Sequence, residues 1–127
     1  MIQIGSYLNI VDNSGAKKVA CIRINASCKK RYAYTGDNIV VSIKSLRSKR
    51  RIFSKVKKGE VFVALVVRTK KINTDFFQNQ FSFFQNSAIL LTRQNKLIGT
   101  RIFGALPKTF RFSKYMRMIS LCSGLTK

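Results

Sequence analysis

Val61-Phe62-Val63-Ala64-Leu65-Val66-Val67, preceded by Lys57-Lys58-Gly59-Glu60 and followed by Arg68-Thr69-Lys70-Lys71, is the stretch on which the fold turns. An unbroken apolar run of this length is short for a helix and far short of the roughly 20 residues that span a bilayer. It is also too apolar for a half-exposed strand, so it reads as a central, buried strand opened by a Gly-containing turn. On its N-terminal side, Gly36-Asp37 opens Asn38 to Lys44, rich in β-branched residues through Ile39-Val40-Val41-Ser42-Ile43. Ala16 to Ile24 alternates, with Ala20, Ile22 and Ile24 expected on one face and Cys21 and Arg23 on the other. Tyr7 to Val11 ends at Asp12-Asn13-Ser14-Gly15, a strong turn signal, because Asp and Asn bond their own backbone and Gly supplies positive φ. Ser87 to Leu91 makes a fifth strand. Short strands separated by turns predict an all-β fold with a small α segment: a five-stranded closed barrel, OB-like in size, with its edges removed by closure. After Pro107 apolar and basic residues mix, which predicts one or two short C-terminal helices. The expected organisation is one domain over 1–127, with the barrel over about 1–104 and the helical segment over about 105–121.

The 127 residues carry 25 Lys and Arg against 4 Asp and Glu, a net charge of +21. Like charges repel in a compact state, so such an imbalance calls for a polyanionic partner. Nucleic acid fits best, since phosphate contacts and counterion release supply affinity without sequence. A membrane is excluded as a spanning environment by the short apolar runs, and Met1-Ile2-Gln3-Ile4-Gly5 has neither the basic nor the apolar region of a signal peptide. The chain is expected to be made where it works or to have lost a presequence. Basic residues gather between strands: Lys17 and Lys18; Lys29-Lys30-Arg31; Arg47 with Lys49, Arg50 and Arg51; Lys55, Lys57 and Lys58; Arg68, Lys70 and Lys71; then Lys108, Arg111 and Lys114 near the C-terminus. Loops on a rigid barrel are where binding groups usually sit.

Catalysis has little material. There is no His, no phosphate-cradling Gly motif, and three of the four carboxylates, Asp12, Asp37 and Glu60, fall in turn signatures. Cys21, Cys28 and Cys122 are odd in number and form no C-x-x-C pair, so reduced cysteines are expected, with no metal and no cofactor. Neither an enzymatic activity nor a small-molecule substrate is expected. Phe76, Phe77, Phe81, Phe83 and Phe84 crowd one loop region; they are expected to pack on the barrel or a neighbouring protein, with stacking on unpaired bases as the other reading.

Several strings, in order and in register over nearly the whole chain, resemble the large-subunit ribosomal protein L-fourteen family of bacteria and organelles. They are Leu8-Asn9-Ile10-Val11-Asp12-Asn13-Ser14-Gly15-Ala16-Lys17-Lys18, Val56-Lys57-Lys58-Gly59-Glu60-Val61 and Val66-Val67-Arg68-Thr69-Lys70-Lys71. Ile98-Gly99-Thr100-Arg101-Ile102-Phe103-Gly104 follows, then Lys114-Tyr115-Met116-Arg117-Met118-Ile119-Ser120-Leu121. The resemblance implies a five-stranded barrel, binding to large-subunit rRNA, neighbouring large-subunit proteins and a position near the subunit interface. It makes Lys17, Lys18, Arg31, Arg68, Lys70 and Lys71 the foremost phosphate contacts. It also puts Thr100, Arg101, Arg117 and Ser120 on a surface that faces small-subunit rRNA and that a ribosome-silencing factor shares. The competing reading from another class is a free-standing basic nucleic-acid chaperone.

The chain departs from the family pattern in places. The loop after Lys44 is longer and more basic than usual, and two usual Asp-Gly turns are here Phe77-Gln78 and Phe84-Gln85, which leaves the geometry of that hairpin open. Gly104-Ala105 replaces a usual Gly-Pro, and Thr109 stands where an acidic residue is usual. Phe, Ile, Asn, Lys and Tyr, with AT-rich codons, outnumber Gly, Ala, Pro and Arg two to one. This bias implies an organelle-encoded protein of the mitochondrial matrix, with plastid and bacterial cytoplasm as alternatives.

Overall fold

The apolar run is strand β4 (Val61–Arg68), and from Ala64 onward it needs no polar alternation because both of its faces are covered. In the computed structural model, which describes residues 1–25, 30–48, 54–74 and 78–126, β4 sits between β3 (Asn38–Leu46) and β7 (Ser87–Leu91). With β1 (Tyr7–Ile10) and β2 (Ala16–Ile24) these strands form a closed barrel in the order β1-β2-β3-β4-β7. All pairings are antiparallel except the one that closes the barrel, where Asn9 and Ile10 run parallel to Ser87 and Ala88. The five strands expected from the sequence are these five. Between β4 and β7, the two-residue strands β5 (Asn73–Thr74) and β6 (Gln80–Phe81) pair as a short arm.

Alternate residues of β4 and β7 serve different cores. Ala64, Val66, Ala88 and Leu90 point into the barrel, among Leu8, Val19, Ile39, Val41 and Ile43. Val67, Leu65, Ile89 and Leu91 point outward into a second core, closed by Ile102, Leu106, Phe110, Tyr115 and Met118. The cover comes from strand β8 (Ile102–Leu106), a 3-10 helix (Lys108–Phe112), helix α1 (Arg117–Leu121) and strand β9 (Cys122–Leu125). β8 and β9 pair in parallel, from Ile102 with Cys122 to Leu106 with Leu125. Each large side chain buried under this cover contributes about 1.5–3 kcal/mol. The two short helices match the expected C-terminal segment; the β8–β9 ladder beside them was not anticipated.

β2 corrects the simple alternation expected of it. Cys21 faces the barrel interior, whereas Ile22 is 45% exposed. The register explains this: Cys21 pairs with Val41 and Arg23 with Val40, so Ile22 is an inserted residue that resets the inward face. A second irregularity between Ala16 and Val19 has a functional consequence. Adjacent residues of a regular strand point to opposite faces, yet here both Lys17 and Lys18 are solvent-exposed between buried Ala16 and Val19.

The Asp12-Asn13-Ser14-Gly15 turn behaves as its residues demand. Asp12 is fully buried; its Oδ1 accepts from the Ser14 amide at 2.9 Å and from the Ser14 hydroxyl, and its Oδ2 accepts from the Leu90 amide of β7 at 3.0 Å. Gly15, at φ +105°, lies so close to Ser54 that a Cβ would meet that side chain at 2.5 Å. Between β5 and β6, Gln78 takes φ 60°, the left-handed region that non-glycine residues seldom adopt.

Candidate nucleic-acid interface

Each carboxylate among the described residues is used internally, which leaves the cations unmatched. Asp12 is buried on neutral donors. Glu60 accepts from the Lys57 amide at 2.8 Å. Asp37 binds Lys30 Nζ at 2.7 Å and the Tyr34 amide at 2.7 Å, and Lys30–Asp37 is the single ion pair among the described residues. The excess charge is therefore a surface property. Lys17, Lys18, Arg31, Lys57, Lys58, Lys70, Lys71, Lys108, Arg111 and Lys114 are all exposed. They occupy the irregular start of β2, the connections between strands and the C-terminal segment. Lys30 is placed less freely, its ammonium shared between Asp37 and the Tyr34 ring 5.9 Å away. Lys29, Lys49, Arg50 and Arg51, with Cys28, Asp75, Phe76 and Phe77, lie outside the described residues.

Arg68 is placed differently from a phosphate contact. It is 9% exposed; its Nε donates to the Ala105 carbonyl at 2.8 Å and its Nη2 to the Phe103 carbonyl at 2.6 Å, with the Phe83 ring 5.8 Å from the guanidinium. Burial lowers its pKa, and the neighbouring Cys122 pulls the other way. Gly104, at φ +83°, makes room for it, since a Cβ there would meet Nη2 at 2.5 Å. A register shift between Val66 and Arg68 turns this last residue of β4 toward β8. Arg68 thus ties the second core's cover to the barrel. Arg68→Met should cost about 2 kcal/mol in urea unfolding, because charge-assisted bonds are lost and two carbonyls are orphaned. Arg68→Lys should recover only part, lacking the planar fork. Full stability in the Met variant would mean that these bonds do not anchor the cover.

Two groups of cations do come together. Lys17 and Arg47 line a cleft of about 660 Å³ with Asn9, Ile10, Val11, Ser48 and Gln85. Arg47 donates to the Ile10 carbonyl at 3.0 Å and lies 5.2 Å from the Phe103 ring centre, so its plane is held in place. Lys114 and Arg117 line a second groove of about 680 Å³ with Lys96, Tyr115, Ser120 and Leu121. There Lys114 sits 5.2 Å over the Tyr115 ring, and the Ser120 hydroxyl donates to the Arg117 carbonyl at 2.8 Å. Thr100 and Arg101 are exposed and are held through the Asn13 side chain, which accepts from both their amides, at 2.8 and 3.3 Å. The β8–β9 ladder starts at Ile102 with Cys122, so Arg101 precedes its first pair on one strand as Leu121, the last residue of α1, does on the other. The sequence reading missed Lys96 and the Asn9 and Gln85 amides, which carry no motif and become neighbours only through barrel closure.

The phenylalanines divide. Phe81 and Phe83 are half-buried and pack edge to face on each other at 6.1 Å, while Phe84 is fully exposed. No helix among the described residues is long and apolar enough to cross a membrane, and no group of three His, Cys, Asp or Glu there could hold a metal ion. The model of the family described as Ribosomal protein L14p/L23e matches residues 1–126. The chain therefore belongs to the Ribosomal protein L14p/L23e family, structural and non-enzymatic components of the large ribosomal subunit that associate with ribosomal RNA and other ribosomal proteins.

Proposed function

We propose that this protein binds large-subunit rRNA directly through the exposed cations of its barrel connections and sits beside neighbouring large-subunit proteins near the subunit interface. The observation that carries the reading is the contrast between a net charge of +21 and a single ion pair among the described residues. The contacts assigned to phosphate are Lys17, Lys18, Arg31, Arg47, Lys57, Lys58, Lys70, Lys71, Lys108, Arg111 and Lys114, with Lys30 weaker because Asp37 already matches it. Arg68 is assigned to architecture instead. Thr100, Arg101, Arg117 and Ser120 form the side offered to small-subunit rRNA and to a ribosome-silencing factor; Arg suits both partners, since its fork pairs with phosphate or carboxylate. The compartment proposed is the mitochondrial matrix.

Sedimentation of native lysate tests this. The protein should co-migrate with large subunits and stay there through a moderate salt wash. Recovery mainly at the top of the gradient would favour the free-standing chaperone. In the same gradients, Arg101→Ala and Arg117→Ala should leave large subunits intact while changing subunit joining; subunits that fail to assemble would assign both residues to anchoring.

A further inference from the structure

The cleft between β1, β2 and the start of β7 holds more than charge. Asn9 Nδ2 donates to Gln85 Oε1 at 2.8 Å. That single bond leaves the Asn9 Oδ1 acceptor and the Gln85 Nε2 donors side by side and without partners among the described residues. Lys17 and the fixed guanidinium of Arg47 line the same cleft. The position of Gln85 is set by the barrel: the Asn9 amide donates to the Asn86 carbonyl at 3.0 Å, and Asn86 Oδ1 accepts from the Lys70 amide at 2.9 Å. Immediately before Gln85 stands Phe84, whose side chain is fully exposed. Phe84-Gln85 is also where this sequence replaces a usual Asp-Gly turn, so these side chains are its own.

A full-sized exposed ring, a paired donor and acceptor, and two cations are the three parts needed to hold one nucleotide. The ring stacks on a base, the amides meet its edge, and the cations take the phosphates. We propose that this cleft reads an unpaired nucleotide of the bound RNA, with adenine as the preferred base and Phe84 as its stacking platform. Adenine is the match because it presents an N6–H donor beside the N7 acceptor, the complement of Asn9 Oδ1 and Gln85 Nε2 and the edge that Asn and Gln side chains read best. A solvated loop tip would account for an exposed Phe84, but not for an amide pair whose backbones barrel closure brings together beside two cations. The inference rests on the rRNA-binding reading and adds to it a base preference that charge alone does not give.

The full-length protein, its Phe84→Ala and Gln85→Ala variants, and three probes test it by fluorescence anisotropy at about 0.15 M salt. The probes are short oligoadenylate, oligouridylate of equal length, and an RNA duplex of about 16 base pairs. The unsubstituted protein should prefer oligoadenylate to oligouridylate by at least about 5-fold. Phe84→Ala should weaken both single strands by about 5- to 100-fold. Gln85→Ala should abolish the preference while changing the total affinity less. Both substitutions are on the surface, and an unchanged urea-unfolding midpoint shows that the variants are folded, with duplex binding as the comparison for charge alone. Equal binding of the two single strands by the unsubstituted protein, or variants that bind them as it does, would overturn the proposal, the latter assigning Phe84 to a protein neighbour. Failure of the unsubstituted protein to bind any of the three RNAs would overturn the rRNA-binding reading itself.

Discussion

Affinity for isolated large-subunit rRNA should fall by about three to five decades between about 50 and 200 mM salt, if roughly 6–10 phosphates are engaged on the scale known for duplex DNA. The expectation follows from how the charges are placed. A surface whose cations were paired with carboxylates would release few counterions on binding, because its field would already be neutralised. Here the carboxylates of the described residues are withdrawn: Asp12 to the interior, Asp37 to Lys30, and Glu60 to a backbone amide. Replacing Lys17, Lys18 or Lys70 by Ala should each flatten the logarithmic salt slope by about one unit and weaken all RNA sequences alike. Lys30→Ala should change it less, and it serves as an internal comparison. Filter-binding titrations across that salt range provide the measurement. A shallow slope, or one indifferent to all three lysines, would mean that the phosphate contacts lie elsewhere.

Asp12→Ala should be the most damaging single substitution, costing about 3–5 kcal/mol in urea unfolding. The carboxylate is fully buried and receives three donors: the Ser14 amide, the Ser14 hydroxyl and the Leu90 amide. Removing it strands the Leu90 amide inside the barrel and releases the turn. A buried donor left unsatisfied costs about 1–3 kcal/mol, more where the lost partner was charged. Set against a typical total of about 5–15 kcal/mol, such a loss takes a large share of the stability. Asp12→Asn should fall between the two, since it keeps one acceptor oxygen and turns an N–H toward a donor. The effect should spread, because Asn13, the next residue, holds Thr100 and Arg101. An Ala variant within about 0.5 kcal/mol of the original would show that water replaces the carboxylate without penalty.

The barrel was readable because its signals are local. Gly15 and Gly36 supply positive φ where the sequence suggests turns, and the two-faced burial of β4 was written in its unbroken apolar run. The irregularities of β2 were not readable, since an inserted residue such as Ile22 has no signature of its own and depends on the register of β3. The same holds for β8 and β9: their parallel pair joins segments separated in sequence by the 3-10 helix and α1. At the interface, the number of cations was plain from composition, but their duties were not. Arg68 and Lys70 stand two apart in one string, yet one is buried against backbone carbonyls and the other exposed. Arg68 is the last residue of β4 and turns toward β8, whereas Lys70 lies beyond the strand, its amide donating to Asn86 Oδ1.

The second core also sets an order of events during synthesis. Leu65, Val67, Ile89 and Leu91 belong to strands that can close the barrel as soon as residue 91 is available, but their cover comes from residues 102–125. A barrel built from residues up to 91 without that segment leaves one apolar flank uncovered by its own chain. Such transiently bare apolar surface is what drives wrong associations. The C-terminal segment is thus a closure as well as a docking element, and the barrel wall stays adhesive until that segment arrives.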